Sequence, residues 1–423
     1  MSKFIESDEG IPQELVPFSA KTTQVMIKSV REVKYSPINS FATSDTANFE
    51  IPAQHNLLLK SIDIVTKFKV EKATAVTTSD PSLTLVSNAA NALWKQVDIV
   101  VNNKHQLSNP MQQSSNYEAF FSTILNVDQE REEVLFSDQG FVLDKGGDKT
   151  TADLITNSNA RKRAKLIEKG KSVTFISPLN CSLLKNAKLL IPGLEFGISL
   201  TKNDPEFLLM ADSGDYTIVI ERVYLNVTYV EPEDVYLSLL ESRLEKGPAI
   251  YDGHRSEIST FGIQSSVTKY RFNNIVRGNL PHFMVICIQD RAAMSGSYSK
   301  NPYTFYPFKS IQVYLNNREY FSDPLECTQD DNTLMMNHFY KALGYDVKGT
   351  CLINRDNFRA HFMVPIALSR DRTIKFHHNL QETVDFTVEI EFEEPTGDNR
   401  VLMVYSVYDQ LIKIDKNRNI EKI

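Results

Sequence analysis

The sequence predicts an all-β protein built from two similar β-sandwich or barrel domains in tandem. Its 423 residues exceed the roughly 100–200 residues of one typical domain. Apolar and polar residues alternate with period two in many short segments separated by polar turns. A segment that begins at Trp94 recurs in the second half of the chain, beginning at Phe308. These three observations predict a duplicated β domain.

The strands are recognised by alternation between an apolar and a polar face. The clearest case is the run from Val384 to Phe392, in which every second residue is apolar and the residues between are Asp, Thr or Glu. Such a run predicts a strand with one buried face. The same pattern occurs in three other groups of residues: Ile62, Ile64, Phe68 and Val70; Leu194, Phe196, Ile198 and Leu200; and Val223, Leu225, Val227 and Tyr229.

The internal repeat aligns WKQVDIVVNNK at 94–104 with FKSIQVYLNNR at 308–318. Each copy alternates apolar and polar residues and ends in an Asn-Asn pair followed by a basic residue. The register continues without a gap to Ser-Asn-Pro in the first copy and Ser-Asp-Pro in the second. Asparagine tolerates positive φ angles, so each copy is predicted to be a strand followed by a tight turn.

A helix is predicted after each copy of the repeat, because apolar residues recur there at helical spacing. Ser115 and Glu118 have the spacing of a capping box at the start of the first helix. Gly344 has the position of a C-cap in the second. The apolar positions are Tyr117, Phe120, Phe121, Ile124 and Leu125 in the first helix, and Met335, Met336, Phe339, Tyr340 and Leu343 in the second. Core packing is favoured over a binding groove for the Phe120-Phe121 pair.

The boundaries between domains follow from the strands that close each half on Glu-Pro, at 223–232 and 386–395. A helical stripe of apolar residues, ended by Gly-Pro, lies after the first of these strands and reads as a linker. The predicted organisation is an N-terminal arm at 1–20, a first sandwich at 21–232, a linker helix at 233–253, a second sandwich at 254–409 and a C-terminal tail at 410–423.

Composition and charge exclude several classes of function. The net charge of -7 argues against nucleic-acid coating as the main activity, because phosphate binding needs a basic excess. Cys181, Cys287, Cys327 and Cys351 form no C-x-x-C pair, so a zinc ribbon or thioredoxin-like motif is not indicated. No apolar run reaches the ~18 residues of a membrane span, and residues 1–18 lack a signal-peptide pattern. Synthesis inside a cell is expected.

Catalytic motifs are missing from the sequence: there is no G-x-S-x-G, H-E-x-x-H or P-loop pattern. His377 and His378 are adjacent, so in a strand they would point to opposite faces and could not easily share a metal. The acidic stripe could bind calcium or supply a glycosidase pair, but a solvated strand face is favoured. This stripe consists of Asp385, Glu389, Glu391 and Glu393. Trp94 could stack on a sugar, but its alignment with Phe308 favours a core or interface position. No enzyme activity, metal or cofactor is predicted.

The strongest basic cluster lies in the long polar stretch at 139–171, which is expected to be a loop. It could contact a packaged genome or a partner protein, or act as a nuclear-import signal; a solvated loop is the simpler interpretation. Its residues are Arg161, Lys162, Arg163, Lys165, Lys169 and Lys171.

Several of these segments resemble one protein family. The segment ALWKQVDIVVNNKHQLSNP at 92–110, with NYEAFFSTIL at 116–125, is similar to major capsid proteins of Polinton (Maverick) elements and adintovirus-like viruses. LLIPGLEFGISLTKNDPEFLLM at 189–210 and YTIVIERVYLNVTYVEP at 216–232 extend the likeness. It covers roughly 50–232 and is looser in the second half, where the internal repeat supports the same fold.

The resemblance implies two tandem eight-stranded jelly-roll sandwiches, a double jelly roll, with short helices in the loops. It implies a virion protein that forms hexon-like, pseudo-hexagonal homotrimers in an icosahedral shell, next to other capsomers and penton or minor capsid proteins. The arm at about 1–20 and the charged tail from Lys413 to Ile423 are then candidates for contacts beneath the shell or with minor proteins. The rival interpretations are a two-domain lectin-like or glycosidase-like jelly-roll protein and a tandem cupin.

Overall fold

The computed structural model describes residues 24–39, 44–72, 83–107, 114–144, 158–211, 215–276, 278–328, 331–345, 350–369 and 382–422. Strands dominate these residues, as the alternating pattern predicts. The strands of the first half are β1 Ile27–Tyr35, β2 Thr46–Ile51, β3 Leu58–Lys72, β4 Thr84–Leu85, β5 Trp94–Val101, β6 His105–Gln106, β7 Val173–Pro178, β8 Phe196–Lys202, β9 Leu209–Met210 and β10 Tyr216–Pro232.

The second half contains a matching series of strands. They are β11 Ala249–Gly262, β12 Lys269–Phe272, β13 Phe283–Asp290, β14 Ser310–Leu315, β15 Arg318–Glu319, β16 Leu325–Glu326, β17 Val364–Ala367, β18 Phe386–Glu391, β19 Arg400–Ile414 and β20 Ile420–Lys422. The helices are α1 Ala89–Ala92, α2 Ser115–Asn126, α3 Glu132–Gln139, α4 Ser158–Ile167, α5 Pro205–Leu208, α6 Asp234–Leu244, α7 Arg291–Ser295 and α8 Thr333–Leu343, with 3₁₀ turns at Gln129–Arg131 and Glu168–Gly170.

Each half forms two antiparallel layers, each built on four strands in the same order; in the second half β20 and β16 add a fifth strand to the two layers. In the first half the layers are β1-β10-β3-β7 and β2-β8-β5-β6; in the second they are β11-β19-β13-β17 and β12-β18-β14-β15. Strands that hold the same place in the two orders, such as β3 and β13 or β8 and β18, also follow one another in the same sequence along the chain. Two four-stranded layers with these crossovers make an eight-stranded jelly roll. The predicted fold of two tandem jelly rolls with short helices is confirmed.

The Asn-Asn turns show that the repeat extends to individual hydrogen bonds. The backbone N–H of Asn102 donates to the carbonyl of Glu195, and the N–H of Glu195 donates to the Asn102 side chain, both at 2.9 Å. Asn316 and Asp385 make the same two bonds at 2.9 and 3.0 Å. All four turn asparagines have positive φ, between 50° and 60°. The first asparagine of each turn thereby ties its strand to the neighbouring strand of the layer.

We expect Asn316→Gly to lower the free energy of unfolding by about 1 kcal/mol more than Asn317→Gly. Glycine accepts the positive φ at both positions, so both variants carry a similar backbone entropy cost. Only Asn316→Gly removes the side-chain acceptor of the Asp385 N–H. Urea denaturation of the two variants measures the difference, and equal stabilities would contradict the proposed role of the Asn316 side chain.

The repeated aromatic position at the start of β5 and β14 is part of the core. Trp94 and Phe308 both lie just before or at the start of these strands and are fully buried. Phe308 packs edge to face on Phe362, with 4.8 Å between ring centroids. The core position favoured for Trp94 over a sugar-stacking role is confirmed.

The helix ends agree with the sequence at one predicted cap and differ at the other. Gly344 follows α8 with φ +73°, as a C-cap glycine does. The predicted capping box in α2 is wrong, because the N-cap is Ser114 and its side chain makes no capping bond. The Ser115 hydroxyl accepts from the Val97 N–H instead, and Glu118 turns to the second jelly roll. Both side chains thus bond to residues distant in the sequence instead of capping the helix.

The ends of the second jelly roll differ from the predicted boundaries. Helix α6 occupies the predicted linker, but β11 already begins at Ala249 within the 233–253 span. At the other end, β19 continues to Ile414 and pairs with β20, so residues 410–422 are not a separate tail. Ile412, Ile414 and Ile420 are buried, which explains why this end folds onto the sheet. The predicted arm at 1–20 lies outside the described residues.

Among the described helices, none combines the length and apolar character that a membrane span requires.

Candidate functional site

Helix α2 of the first jelly roll joins the two jelly rolls through an aromatic cluster. The Phe120 ring stacks on Tyr303 of the second roll, with 4.3 Å between centroids and 13° between planes. Phe121 stacks on Phe305 and Tyr405, at 5.7 and 5.0 Å. Both phenylalanines are fully buried. The core-packing interpretation of this pair is confirmed, but the core that it fills lies between the two rolls.

A buried ion pair lies close to this cluster. The Arg163 Nη2 donates to both carboxylate oxygens of Asp144, at 2.7 and 3.0 Å, and neither side chain is exposed. The Arg163 Nε and Nη1 donate to the carbonyls of Leu85 at 2.7 Å and Val142 at 2.8 Å. Asn301 of the second roll donates to Asp144 at 3.0 Å. The ion pair and these hydrogen bonds compensate the cost of burying the two charges. The bond from Asn301 also links the two rolls.

The predicted basic loop is therefore partly wrong. Ser158–Ile167 is a helix, and its buried positions include Ala160, Arg163 and Ile167, at helical spacing. Arg163 cannot contact a genome or a partner, because it faces the interior. The other members of the cluster remain exposed: Arg161, Lys162, Lys165, Lys169 and Lys171. A contact role for these five stays a prediction.

Glu118 is a titratable group at the junction of the rolls. Its half-buried carboxylate accepts a hydrogen bond from the Ser256 hydroxyl on β11, at 3.0 Å. Burial raises the pKa of the Glu118 carboxyl to about 7, and the nearby Glu257 carboxylate adds to this. The Ser256 hydrogen bond and the Lys185 ammonium oppose the rise. Glu118 is thus a carboxyl whose charge changes near neutral pH.

We expect Glu118 to contribute a loss of native-state stability as the pH rises from about 4.5 to about 7. In this range the unfolded chain has released the Glu118 proton while the folded chain still holds it, so rising pH favours unfolding. Glu118→Gln removes this loss, which is on the order of 1–3 kcal/mol. Urea denaturation at pH 5 and pH 8 measures it. The exposed Glu133→Gln is the control, and equal pH dependence in wild type and Glu118→Gln would contradict the assignment.

A cleft of about 950 Å³ lies between the two rolls, between α2 and strands β11 and β19. Asp409 lies between two imidazoles there: its carboxylate is 3.1 Å from Nδ1 of the buried His282 and 3.5 Å from Nδ1 of the exposed His254. These contacts tie β11 and β19 to the residue before β13. Across the described residues, no three His, Cys, Asp or Glu side chains are placed to hold a metal ion.

The acidic stripe on β18 is paired with neighbouring strands. Glu389 contacts Lys269 on β12 at 2.5 Å. Glu391 contacts Lys309, the residue before β14. Asp385 is exposed and precedes the strand, and Glu393 is exposed after it. Such cross-strand pairs stabilise a solvated sheet surface modestly. His377 and His378 lie outside the described residues.

No protein-family model matches the sequence, and the search of curated proteins finds no match either. Solved structures do match over nearly the whole chain. A chain of the Sputnik virophage structure aligns with a TM-score of 0.65 and 10% identity, covering 98% of this chain and 92% of that chain. This chain has the double jelly-roll fold.

Two further structures have the same fold. The Faustovirus major capsid protein aligns with a TM-score of 0.60 and 9% identity, over 94% of this chain and 92% of that one. The mavirus major capsid protein aligns with a TM-score of 0.58 and 12% identity, over 96% and 92%. Each alignment spans both jelly rolls, so the shared feature is the complete pair. An alignment to one jelly roll alone would be less specific, because the single jelly roll occurs in many unrelated proteins.

Proposed function

We propose that this chain is the major capsid protein of an icosahedral virus or virus-like element, and that three copies form a pseudo-hexagonal capsomer. The observation that carries this proposal is the duplication itself. Two jelly rolls of identical strand order in one chain give six similar units in a trimer. Six similar units around a threefold axis approximate the sixfold symmetry of a hexagonal lattice, which a single jelly roll in a trimer would not provide.

The junction between the rolls supports the proposal. A pseudo-hexagonal capsomer requires the two rolls of each chain to keep a fixed relative orientation. The stacked rings of Phe120 and Tyr303 and the Asn301–Asp144 bond supply buried contacts of this kind. Buried aromatic stacking and satisfied polar networks resist rearrangement more than a wet, polar domain interface does.

We infer that the chain comes from a Polinton (Maverick) element, an adintovirus or a relative of these; the sequence resemblance over 50–232 and the fold shared with the mavirus major capsid protein support this. In the virion its partners are neighbouring capsomers and penton or minor capsid proteins. The net charge of -7 restricts any genome contact to a local cluster such as the exposed residues of α4.

Electron microscopy of the purified native protein tests the proposal. We expect particles with six lobes around a threefold axis, and shells of such particles at higher protein concentration. Particles with only two lobes, unchanged across protein and salt concentrations, would contradict it.

A further inference from the structure

His361 of the second roll is a fully buried imidazole at the junction between the two rolls. The centroid of its ring lies 6.2 Å from that of Phe120, on α2 of the first roll. Its Nδ1 lies 2.8 Å from the carbonyl oxygen of Tyr303, the residue whose ring stacks on Phe120. The imidazole is therefore bonded directly to the aromatic cluster that joins the rolls.

The hydrogen bond to Tyr303 defines the protonation state of the ring. A carbonyl oxygen only accepts hydrogen bonds, so Nδ1 carries the proton. The second ring nitrogen, Nε2, makes no hydrogen bond of normal geometry to a described residue. A second proton, on Nε2, would therefore be buried without a good acceptor, which is costly. The imidazole is neutral in this arrangement.

The two charges that act on the ring already neutralise each other. Among the described residues they are the carboxylate of Asp144 and the guanidinium of Arg163 on α4. The Asp144 carboxylate accepts two hydrogen bonds from Arg163 and one from Asn301. A proton on His361 would give this buried cluster a net positive charge. Burying a charge without a counter-charge destabilises a protein strongly.

The titration of His361 agrees with this geometry. Burial lowers the pKa of the imidazole below its usual value of 6.5, and the Arg163 guanidinium acts in the same direction. The Asp144 carboxylate and the main chain of Tyr303 and of Asp144 oppose the fall. The folded protein thus binds the proton less tightly than an unfolded chain does.

Helix α2, which packs against the ring, carries two other titratable groups. Burial raises the pKa of the Tyr117 hydroxyl well above its usual range, so this group stays neutral. The Glu118 carboxyl bonds Ser256 on β11, and burial raises its pKa to about 7. Glu118 therefore favours the folded state in acid, the opposite of His361, and its effect must be removed before that of His361 can be measured.

We propose that His361 is an acid-sensitive release for the junction between the two jelly rolls. When the ring takes up a proton, an uncompensated charge forms beside the stacked rings of Phe120 and Tyr303, and the rolls lose their fixed contact. The contribution of His361 to stability is complete above pH 6.5 and is lost as the pH falls towards the lowered pKa of the folded protein. The inference concerns a single chain and goes beyond the proposed function.

The test compares Glu118→Gln with a double variant that also carries His361→Asn. Asparagine keeps an N–H in the place of Nδ1 but does not titrate. Urea denaturation gives the equilibrium constant of unfolding. Between about pH 8 and about pH 5, we expect acid to raise this constant on the order of tenfold more in Glu118→Gln than in the double variant, since one pKa unit is a factor of ten. His55→Gln, at an exposed position, is the control in the same background and is expected to change nothing.

Calorimetry shows whether the release acts at the junction. We expect Glu118→Gln to unfold in one transition at the higher pH and in two at the lower pH, and the double variant to unfold in one at both. If the double variant does not fold, hydrogen exchange at the C2 carbon of histidine, followed by mass spectrometry, measures the pKa of His361 in the unaltered protein.

Three outcomes would overturn the inference. The first is an equal acid response in Glu118→Gln and the double variant. The second is a single unfolding transition of Glu118→Gln at both pH values, which would place the effect of His361 outside the junction. The third is an exchange midpoint for His361 that is no lower than that of His55. A monomeric wild type would overturn the proposed function and leave this inference standing.

Discussion

Replacing Asp144 by alanine is expected to lower the free energy of unfolding by about 3–5 kcal/mol. The substitution leaves the guanidinium of Arg163 buried without its counter-ion, although both side chains are fully buried in the native protein. It also removes the acceptor of the Asn301 amide, so the loss is expected to affect both jelly rolls. Urea denaturation followed by circular dichroism measures it.

Matched variants separate the buried charge from a general effect of mutating this region. Arg161→Ala removes an exposed cation from the same helix and is expected to change stability by less than about 0.5 kcal/mol. The double variant Arg163→Met with Asp144→Leu removes both charges and is expected to recover most of the loss. A mild effect of Asp144→Ala, similar to that of Arg161→Ala, would contradict the account.

Replacing Phe121 by alanine is expected to cost about 3–5 kcal/mol, the usual range for a buried phenylalanine. Its ring is stacked on Phe305 and Tyr405 of the second jelly roll, so the cavity opens in the core that joins the rolls. We therefore expect calorimetry to resolve separate unfolding transitions for the two rolls in this variant, because the contact that couples them is weakened.

The control for this prediction is Phe121→Leu, which retains most of the buried volume and is expected to cost less than half as much. A single, sharp unfolding transition in Phe121→Ala, with stability close to that of Phe121→Leu, would show that α2 does not couple the rolls.

The parts of the fold that were predictable are those with local sequence signals. Strands such as β18 follow from alternation over a few residues, and the Asn-Asn turns follow from residues that tolerate positive φ. The duplication could be found because the two copies kept the same spacing from Trp94 and Phe308 onward. The cross-strand bonds of Asn102 and Asn316 are then repeated because the same residue occupies the same place in each copy.

The contacts between the rolls were not predictable, because they join residues far apart in the sequence. Glu118 meets Ser256, and Asp144 meets Asn301, across the two sandwiches. Arg163 lies among other basic residues, so composition favoured a solvated loop. The spacing of Ala160, Arg163 and Ile167 was a usable signal for one buried helix face. An arginine at the centre of such a face calls for a buried acidic partner.

The unpartnered face of α6 was also visible in the sequence as a helical stripe, but the stripe alone does not say whether the same chain covers it. The structure leaves Val235 and Leu239 exposed among the described residues.

The native mass of the purified protein tests the central claim most directly. Light scattering after size exclusion is expected to give three times the chain mass of 48.1 kDa, constant across micromolar protein concentrations, because a capsomer trimer is held by large, obligate interfaces. A mass of one chain across the same concentrations would contradict the capsomer assignment and leave only the double jelly-roll fold.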